Sequence, residues 1–262
     1  MKLGLIGCGA LGTFLLEKLN KENGLKDVKI TAVLDEREKS QAKLSEIAKN
    51  YHVSAFKDVH VFLQSGIDLV VECANIQAVQ QYAPQIIAQK DMLVISIGAF
   101  ADAQFYDELQ QIAAENQTKL ILPSGAIGGL DLIQAAKRSG GLQEVILTTR
   151  KPASSLTDEK LTEETVIFEG NAKEAIQKFP KNVNVAIILS LAGLGAAETK
   201  VKLIADPKAD KNLHTIDVRG DFGECTAAIE NFPMPSNPKT SYLTALSMLA
   251  SIKALRDPVI IG

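Results

Sequence analysis

Along the first half of the chain, short apolar runs alternate with longer segments that are apolar on one side only. Lys2 to Ile6, Val28 to Leu34, Ile67 to Cys73, Met92 to Ile97 and Lys119 to Leu122 are the short runs, and they read as strands. Leu11 to Leu19, Glu36 to Tyr51, Ile76 to Gln89 and Asp102 to Asn116 lie between them and read as helices. Glu36 to Tyr51 is charged and free of glycine and proline, which favours helix. In the last segment Phe105, Leu109, Ile112 and Ala113 trace one helical face. Pro84 is placed to kink the third helix. This alternation predicts a parallel sheet covered on both faces, hence an α/β fold.

The rhythm changes after Pro123. Ser124 to Gly129 is a glycine-rich loop, followed by an expected helix at Leu130 to Arg138 and a strand at Glu144 to Thr149. Leu156 to Glu164 is polar and reads as a surface connection. Asn171 to Phe179 and Val183 to Leu191 read as helices, and Val201 to Ala205, His214 to Arg219 and Cys225 to Glu230 as strands. This half is therefore expected to be α+β with a mixed or antiparallel sheet. Lys239 to Leu255 reads as a long helix with Leu243, Leu246, Leu249, Ile252 and Leu255 at helical spacing. Asn237 is a plausible cap for it, with Pro238 at its first position. The organisation expected is a dinucleotide-binding domain over residues 1–123, a substrate and dimerisation domain over 124–238, and a C-terminal helix in 239–262 returning to the first domain.

Composition narrows the class. With 262 residues the chain holds one or two domains of about 150 residues. Its 28 basic and 31 acidic residues give a net charge of −3, which argues against a nucleic-acid partner because such binding needs a cationic surface. No apolar run approaches the roughly 20 residues of a membrane span. Gly7 arrives too early for a signal peptide, and Cys8, Cys73 and Cys225 are few, odd in number and widely spaced. A cytoplasmic protein with free thiols is expected. Neither the cysteines nor the histidines show metal-ligand spacing, so no metal is expected.

Gly7-Cys8-Gly9-Ala10-Leu11-Gly12 fits G-x-G-x-x-G after a strand and at the start of a helix. The glycines serve a tight turn, close approach of backbone to a pyrophosphate, and close helix–strand contact. The pyrophosphate is expected at the N-terminus of the helix through Ala10 and Leu11, where free N–H groups favour anions. The second strand ends at Asp35, 23 residues beyond Gly12, near the position of an acid that accepts hydrogen bonds from the adenosine ribose. A carboxylate there repels a 2′-phosphate, so NAD is the expected cofactor; Arg37 beside it allows some use of NADP. Small residues at later strand ends, Ala74 among them, let a ligand approach the backbone. A glycine turn without any ligand is the alternative.

Several segments together resemble the L-aspartate dehydrogenase family. They are the fingerprint, Pro123-Ser124-Gly125-Ala126-Ile127-Gly128-Gly129, Thr148-Thr149-Arg150-Lys151-Pro152, Asn182-Val183-Asn184-Val185, Asn212-Leu213-His214 and Asn237-Pro238-Lys239-Thr240-Ser241. The resemblance runs over essentially the whole chain. It implies an N-terminal Rossmann domain and a C-terminal α+β domain of the dihydrodipicolinate-reductase and homoserine-dehydrogenase type, acting as a homodimer. It implies NAD(P)-dependent oxidation of L-aspartate to iminoaspartate, which hydrolyses to oxaloacetate and ammonia and can feed de novo NAD synthesis. It also implies His214 as the catalytic residue, with Ala126 and Asn184 as cofactor contacts. Where the family often has a second proline, this chain has Ala153.

The residues themselves give His214 two readings. Oxidising an amino acid requires a group that takes the ammonium proton, and histidine suits this; a strand histidine with only a structural hydrogen bond is the other reading. His52 and His60 lie in polar surroundings and read as surface residues. Arg150, Lys151 and Lys239 are candidate partners for the two substrate carboxylates, against the reading of solvated surface charges. The competing functions are another amino-acid or imine reductase of the same architecture, a non-catalytic NAD(H) sensor, and a methyltransferase.

Overall fold

The computed structural model describes residues 1–37, 40–179 and 184–259, with the side chains of Pro238 and Lys239 outside that description. The chain divides into two units, Met1–Pro123 with Met248–Pro258, and Ser124–Ser247 with Val259.

In the first unit the elements follow as β1 (Lys2–Ile6), α1 (Ala10–Leu16), β2 (Lys29–Leu34), α2 (Gln41–Tyr51), β3 (Ser54–Phe56), α3 (Val59–Leu63), β4 (Leu69–Glu72), α4 (Ile76–Ile87), β5 (Asp91–Val94), α5 (Ala103–Asn116) and β6 (Leu120–Ile121). The strands form one parallel sheet in the order β3-β2-β1-β4-β5-β6, the doubly wound Rossmann arrangement. Its order reverses between β1 and β4, so the loops after those two strands flank the crevice where such sheets bind ligands. β4 is buried along its whole length, as a central parallel strand covered on both faces must be. Asp58, Asn75 and Asp102 cap α3, α4 and α5 by accepting backbone N–H groups with their side chains. α4 runs on through Pro84.

Three details differ from the sequence expectation. The short elements β3 and α3 carry too few residues for a periodic signal. α1 continues as one π-helical turn over Glu17–Lys21. Helix α2 starts at Gln41 instead of Glu36, because Asp35 and Arg37 form a side-chain-locked turn ahead of it.

The second unit contains α6 (Leu130–Arg138), β7 (Leu142–Pro152), β8 (Thr165–Asn171), α7 (Ala172–Lys178), α8 (Asn184–Ala192), β9 (Lys200–Asp206), β10 (Asn212–Gly220), β11 (Gly223–Asn231), β12 (Pro233–Met234), β13 (Asn237–Ser241) and the start of α9 (Tyr242–Ala254). The order β11-β10-β7-β9-β8 is mixed, with β7 and β9 parallel and the other neighbours antiparallel. On β7 the residues Val145, Leu147 and Thr149 are buried while Ile146, Thr148 and Arg150 are only half-buried, so one face of the sheet packs and the other is partly open. β8 and the β12–β13 hairpin were not visible as apolar runs, and the expected start of a helix at Val183 lies outside the described residues.

The expected helix start at Asn237 is corrected. Asn237 to Ser241 pair with β12 as a strand, and Asn237 Nδ2 donates to Thr240 Oγ1 at 2.9 Å. Helix α9 begins at Tyr242, and its buried face is Ala245, Met248 and Ile252; Leu246 and Leu255 are exposed. The steps of three, from Leu243 to Leu255, drift around a helix of 3.6 residues per turn, so the leucines do not share one face. Met248 and Ile252 belong to the core of the first unit, with Leu3, Leu5 and Leu93.

Candidate active site

In the first unit the glycine loop joins β1 to α1. Gly7 has φ +93°, and a Cβ there lies 2.6 Å from the backbone of Ala74. Only glycine permits both that conformation and that approach of the β4–α4 loop. A Cβ on Gly12 meets the carbonyl of Gly7, so its absence lets α1 pack against the turn. Gly9 is exposed, and a Cβ there meets nothing within 4 Å. Each of the three glycines thus has a separate cause, and the open space falls at Gly9, ahead of the free N–H groups of α1 around Ala10 and Leu11. That is the form a backbone cradle for an anion takes.

The carboxylate of Asp35, at the end of β2, is 9% exposed. Arg37 grips it twice, Nε to Oδ1 at 2.9 Å and Nη2 to Oδ2 at 2.6 Å, and the Arg37 amide adds a third bond at 3.1 Å. This fork holds the Asp35 carboxyl below the usual carboxylate range. Asp35, Arg37, Gly7, Ala74 and Tyr82 line one pocket, which brings the predicted ribose acid and the predicted glycine turn into a single site. These features fit the adenosine and pyrophosphate of a dinucleotide. Cys8 is buried, and burial pushes its thiol up to about 11, which suits a packing role.

Glu72 was missed by sequence reasoning. It ends β4 fully buried, and its carboxylate accepts from Ala74 N at 2.6 Å, Ser96 N at 3.1 Å and Ser96 Oγ at 2.8 Å. It therefore ties the loop after β4 to the loop after β5. Burial raises its pKa while these donors oppose the rise. The signal was a lone acid closing the apolar run Leu69-Val70-Val71.

In the second unit His214 stands opposite Thr149 in the β10–β7 ladder, 4% exposed, with Nδ1 2.9 Å from Thr149 Oγ1. This contact fixes the ring through Nδ1 and leaves Nε2 without a role in holding it. Burial, with help from the charge of Lys151, lowers the imidazole pKa to about 4, so the ring is neutral through the physiological range. His52 and His60 are both exposed. The loop through Ala126 is anchored to the same sheet: Asn231 Nδ2 donates to the Ala126 carbonyl at 3.0 Å, and Ser241 Oγ donates to Asn231 Oδ1 at 2.7 Å. Asn231 pairs with Asn212, two residues before His214, so Ala126 is held to the strand pair that carries the histidine. Asn231 closes its strand just past the apolar stretch, where its side-chain role left no trace in the pattern. Gly125, with φ +65°, donates its N–H to Ser247 Oγ at 3.1 Å. Asn184 opens α8 and is exposed.

Comparison with known proteins agrees with both halves. Residues 7–123 match the NAD-binding domain of homoserine dehydrogenase, and residues 131–255 match the C-terminal domain of aspartate dehydrogenase. The L-aspartate dehydrogenase of Methanococcoides burtonii is 42% identical over 100% of this chain and 99% of its own. That of Archaeoglobus fulgidus is 41% identical over the full length of both. The chain belongs to the L-aspartate dehydrogenase family. Among solved structures, aspartate dehydrogenase from Thermotoga maritima aligns with a TM-score of 0.81 and 31% identity over 100% of this chain and 99% of that one. Scyllo-inositol dehydrogenase from Lactobacillus casei, with NAD(H) and scyllo-inositol bound, aligns at 0.58 with 15% identity over 100% and 91%, and shares the fold alone. Within the L-aspartate dehydrogenase family, His214 is the one buried histidine of this member.

Proposed function

We propose that this protein oxidises L-aspartate with NAD, giving iminoaspartate and, after addition of water, oxaloacetate and ammonia; under excess ammonia and NADH the reaction runs in reverse. The observation that carries this reading is a buried, neutral imidazole on the second sheet, oriented by Thr149, in a chain of the L-aspartate dehydrogenase family. NAD, when bound, supplies the acceptor for the hydrogen and two electrons that leave Cα. Gly7, Gly9, Gly12 and the start of α1 with Ala10 and Leu11 hold its pyrophosphate, Asp35 its ribose hydroxyls, and Ala74, Ala126 and Asn184 make further contacts. His214 takes the ammonium proton, since Cα cannot release its hydrogen while nitrogen carries a full charge. The two negative charges of aspartate favour the imidazolium and so raise the basicity of His214 as the substrate arrives.

Asp35 favours NAD, and Arg37, once its fork opens, can take the 2′-phosphate of NADP. The protein is cytoplasmic in this reading; the free thiols of Cys8, Cys73 and Cys225 suit a reducing compartment, and no described helix is long and apolar enough to cross a membrane. It is also a homodimer, for which the edge strand β11 and the partly open sheet face offer surface. Its iminoaspartate can supply de novo NAD synthesis. The test follows NADH absorbance with L-aspartate plus NAD, and with oxaloacetate, ammonia and NADH. Turnover in both directions is expected; folded protein with neither reaction overturns the reading, and NADH binding without turnover favours a sensor.

A further inference from the structure

The segment Ser124–Gly129 carries Ala126 and three glycines, and it forms neither helix nor strand. Gly125 and Gly129 take φ of +65° and +77°, and a Cβ at either meets nothing within 4 Å. The two glycines serve the turns and supply no packing, so the loop takes its position from its neighbours. Ile127 is buried, and two side chains from other elements grip the backbone on either side of the Gly125–Ala126 peptide. Ser247 of α9 accepts the Gly125 N–H at 3.1 Å, and Asn231 Nδ2 donates to the Ala126 carbonyl at 3.0 Å. Asn231 closes β11 in register with Asn212, while His214 pairs with Ile229. Opposed residues share a face and side chains alternate along each strand, so Asn212, His214, Ile229 and Asn231 stand on one face. Asn231 is therefore the diagonal neighbour of His214 across the ladder. It is buried, and its Oδ1 accepts from Ser241 Oγ at 2.7 Å. A carbonyl only accepts, so the amide nitrogen must face Ala126, and the Ser241 hydroxyl holds the oxygen end.

We propose that Asn231 is a positioning residue whose amide holds the Ser124–Gly129 loop in register with His214. This rests on the reading of His214 as proton acceptor and of Ala126 as a cofactor contact. Asn231 touches neither substrate nor cofactor and acts through the Ala126 carbonyl. In aspartate oxidation the hydride leaves Cα and the proton leaves the adjoining nitrogen, so hydride acceptor and base must meet neighbouring atoms at once. A displacement of about 1 Å at either partner costs about 10²-fold in rate. One side chain spans the strand pair that carries the base and the loop that carries the cofactor contact, which fixes their separation.

The experiment compares wild type with Asn231→Leu and Asn231→Asp. The first keeps similar bulk and removes the donor; the second keeps the acceptor facing Ser241 and, when ionised, has no proton for Ala126. Steady-state kinetics with L-aspartate and NAD, NADH titration, and hydrogen exchange over residues 124–129 are measured on folded protein. Asn231→Leu is expected to lower kcat by about 30-fold or more, with KM and the Kd for NADH within about fivefold of wild type. Exchange of the loop amides is expected to quicken by about tenfold. In Asn231→Asp, kcat relative to wild type is expected to fall as pH rises, because only the protonated acid donates to Ala126. A purely structural role lowers the melting temperature and leaves that pH dependence and the kcat of folded protein unmoved; this outcome overturns the proposal. So does a kcat within about threefold of wild type in Asn231→Leu. Ser241→Ala, which frees the amide to turn, serves if neither variant folds: slower turnover with faster loop exchange supports the proposal, and wild-type values for both overturn it. A wild type that binds NADH without oxidising aspartate overturns the proposed function, and loop exchange then decides by itself whether Asn231 holds the segment.

Discussion

Around Gly7 to Gly12 the binding surface is backbone laid bare by missing side chains, whereas on the β7–β10 face it is built of side chains standing on a ladder whose backbone is already paired. The first kind of site recognises an anion through free N–H groups, and its specificity lies in what cannot be added. The second works by burial: a packed sheet face lowers the pKa of His214 and of Lys151, and Thr149 fixes the aim of the imidazole. A substitution in the glycine loop fails through collision, and one on the sheet face fails through lost chemistry.

The largest expected effect separates the two directly. His214→Ala removes the proton acceptor and leaves the glycine loop untouched, so kcat falls by about 10²-fold or more while the Kd for NADH stays at the wild-type value. Fluorescence titration with NADH alongside the assay checks both; a loss of NADH affinity breaks the division of labour.

Burial of His214 sets the next effect. The folded imidazole has its pKa lowered from 6.5 to about 4, so between those values the unfolded chain binds the proton and the folded one does not. The stability contributed by the neutral ring is complete above pH 6.5 and is lost as pH falls through 4. The loss amounts to roughly 3 kcal/mol at most. Denaturation of wild type and His214→Gln between those pH values tests it: wild type weakens more steeply on acidification. Lys151, the charged group acting on the ring from β7, is protonated throughout that window and adds to the penalty.

The glycine loop offers a pair of substitutions with opposite signatures. In Gly12→Ala the added methyl meets the Gly7 carbonyl, and stability drops by about 1–3 kcal/mol. In Gly9→Ala the methyl enters open space at φ −77°, so the melting temperature holds and NADH affinity falls by about tenfold. Equal melting temperatures for the two variants remove the argument. The smallest effect is at Asp35. Asp35→Ala frees Arg37 from its fork, and the ratio of kcat/KM for NADP over NAD rises by about tenfold.

The same contrast explains what the sequence could reveal. G-x-G-x-x-G is legible because each glycine answers a local steric demand within a few residues, and Asp35 because a strand of ordinary length ends there. The alternation of the first unit is legible because parallel strands are apolar throughout. The second unit is harder. Its strand β8 is half-exposed and mixed in composition, and β13 looks like a helix start because Asn-Pro serves equally well in a turn. Asn231 and Glu72 act through contacts distant in sequence: Asn231 reaches Ala126 across 105 positions, and Glu72 reaches Ser96 across 24. The pairing of Thr149 with His214 depends on ladder register, which joins β7 to β10 across more than sixty residues and leaves no local pattern.

Glu72 has a consequence for motion. One buried carboxylate accepts hydrogen bonds from the amides of Ala74 and Ser96, so release of either loop costs it a partner away from water. Opening of either loop is thereby opposed, and slow hydrogen exchange at both amides is the expected sign of the tie. The crevice edge next to the glycine turn is thus pinned from below by a single carboxylate shared between two loops.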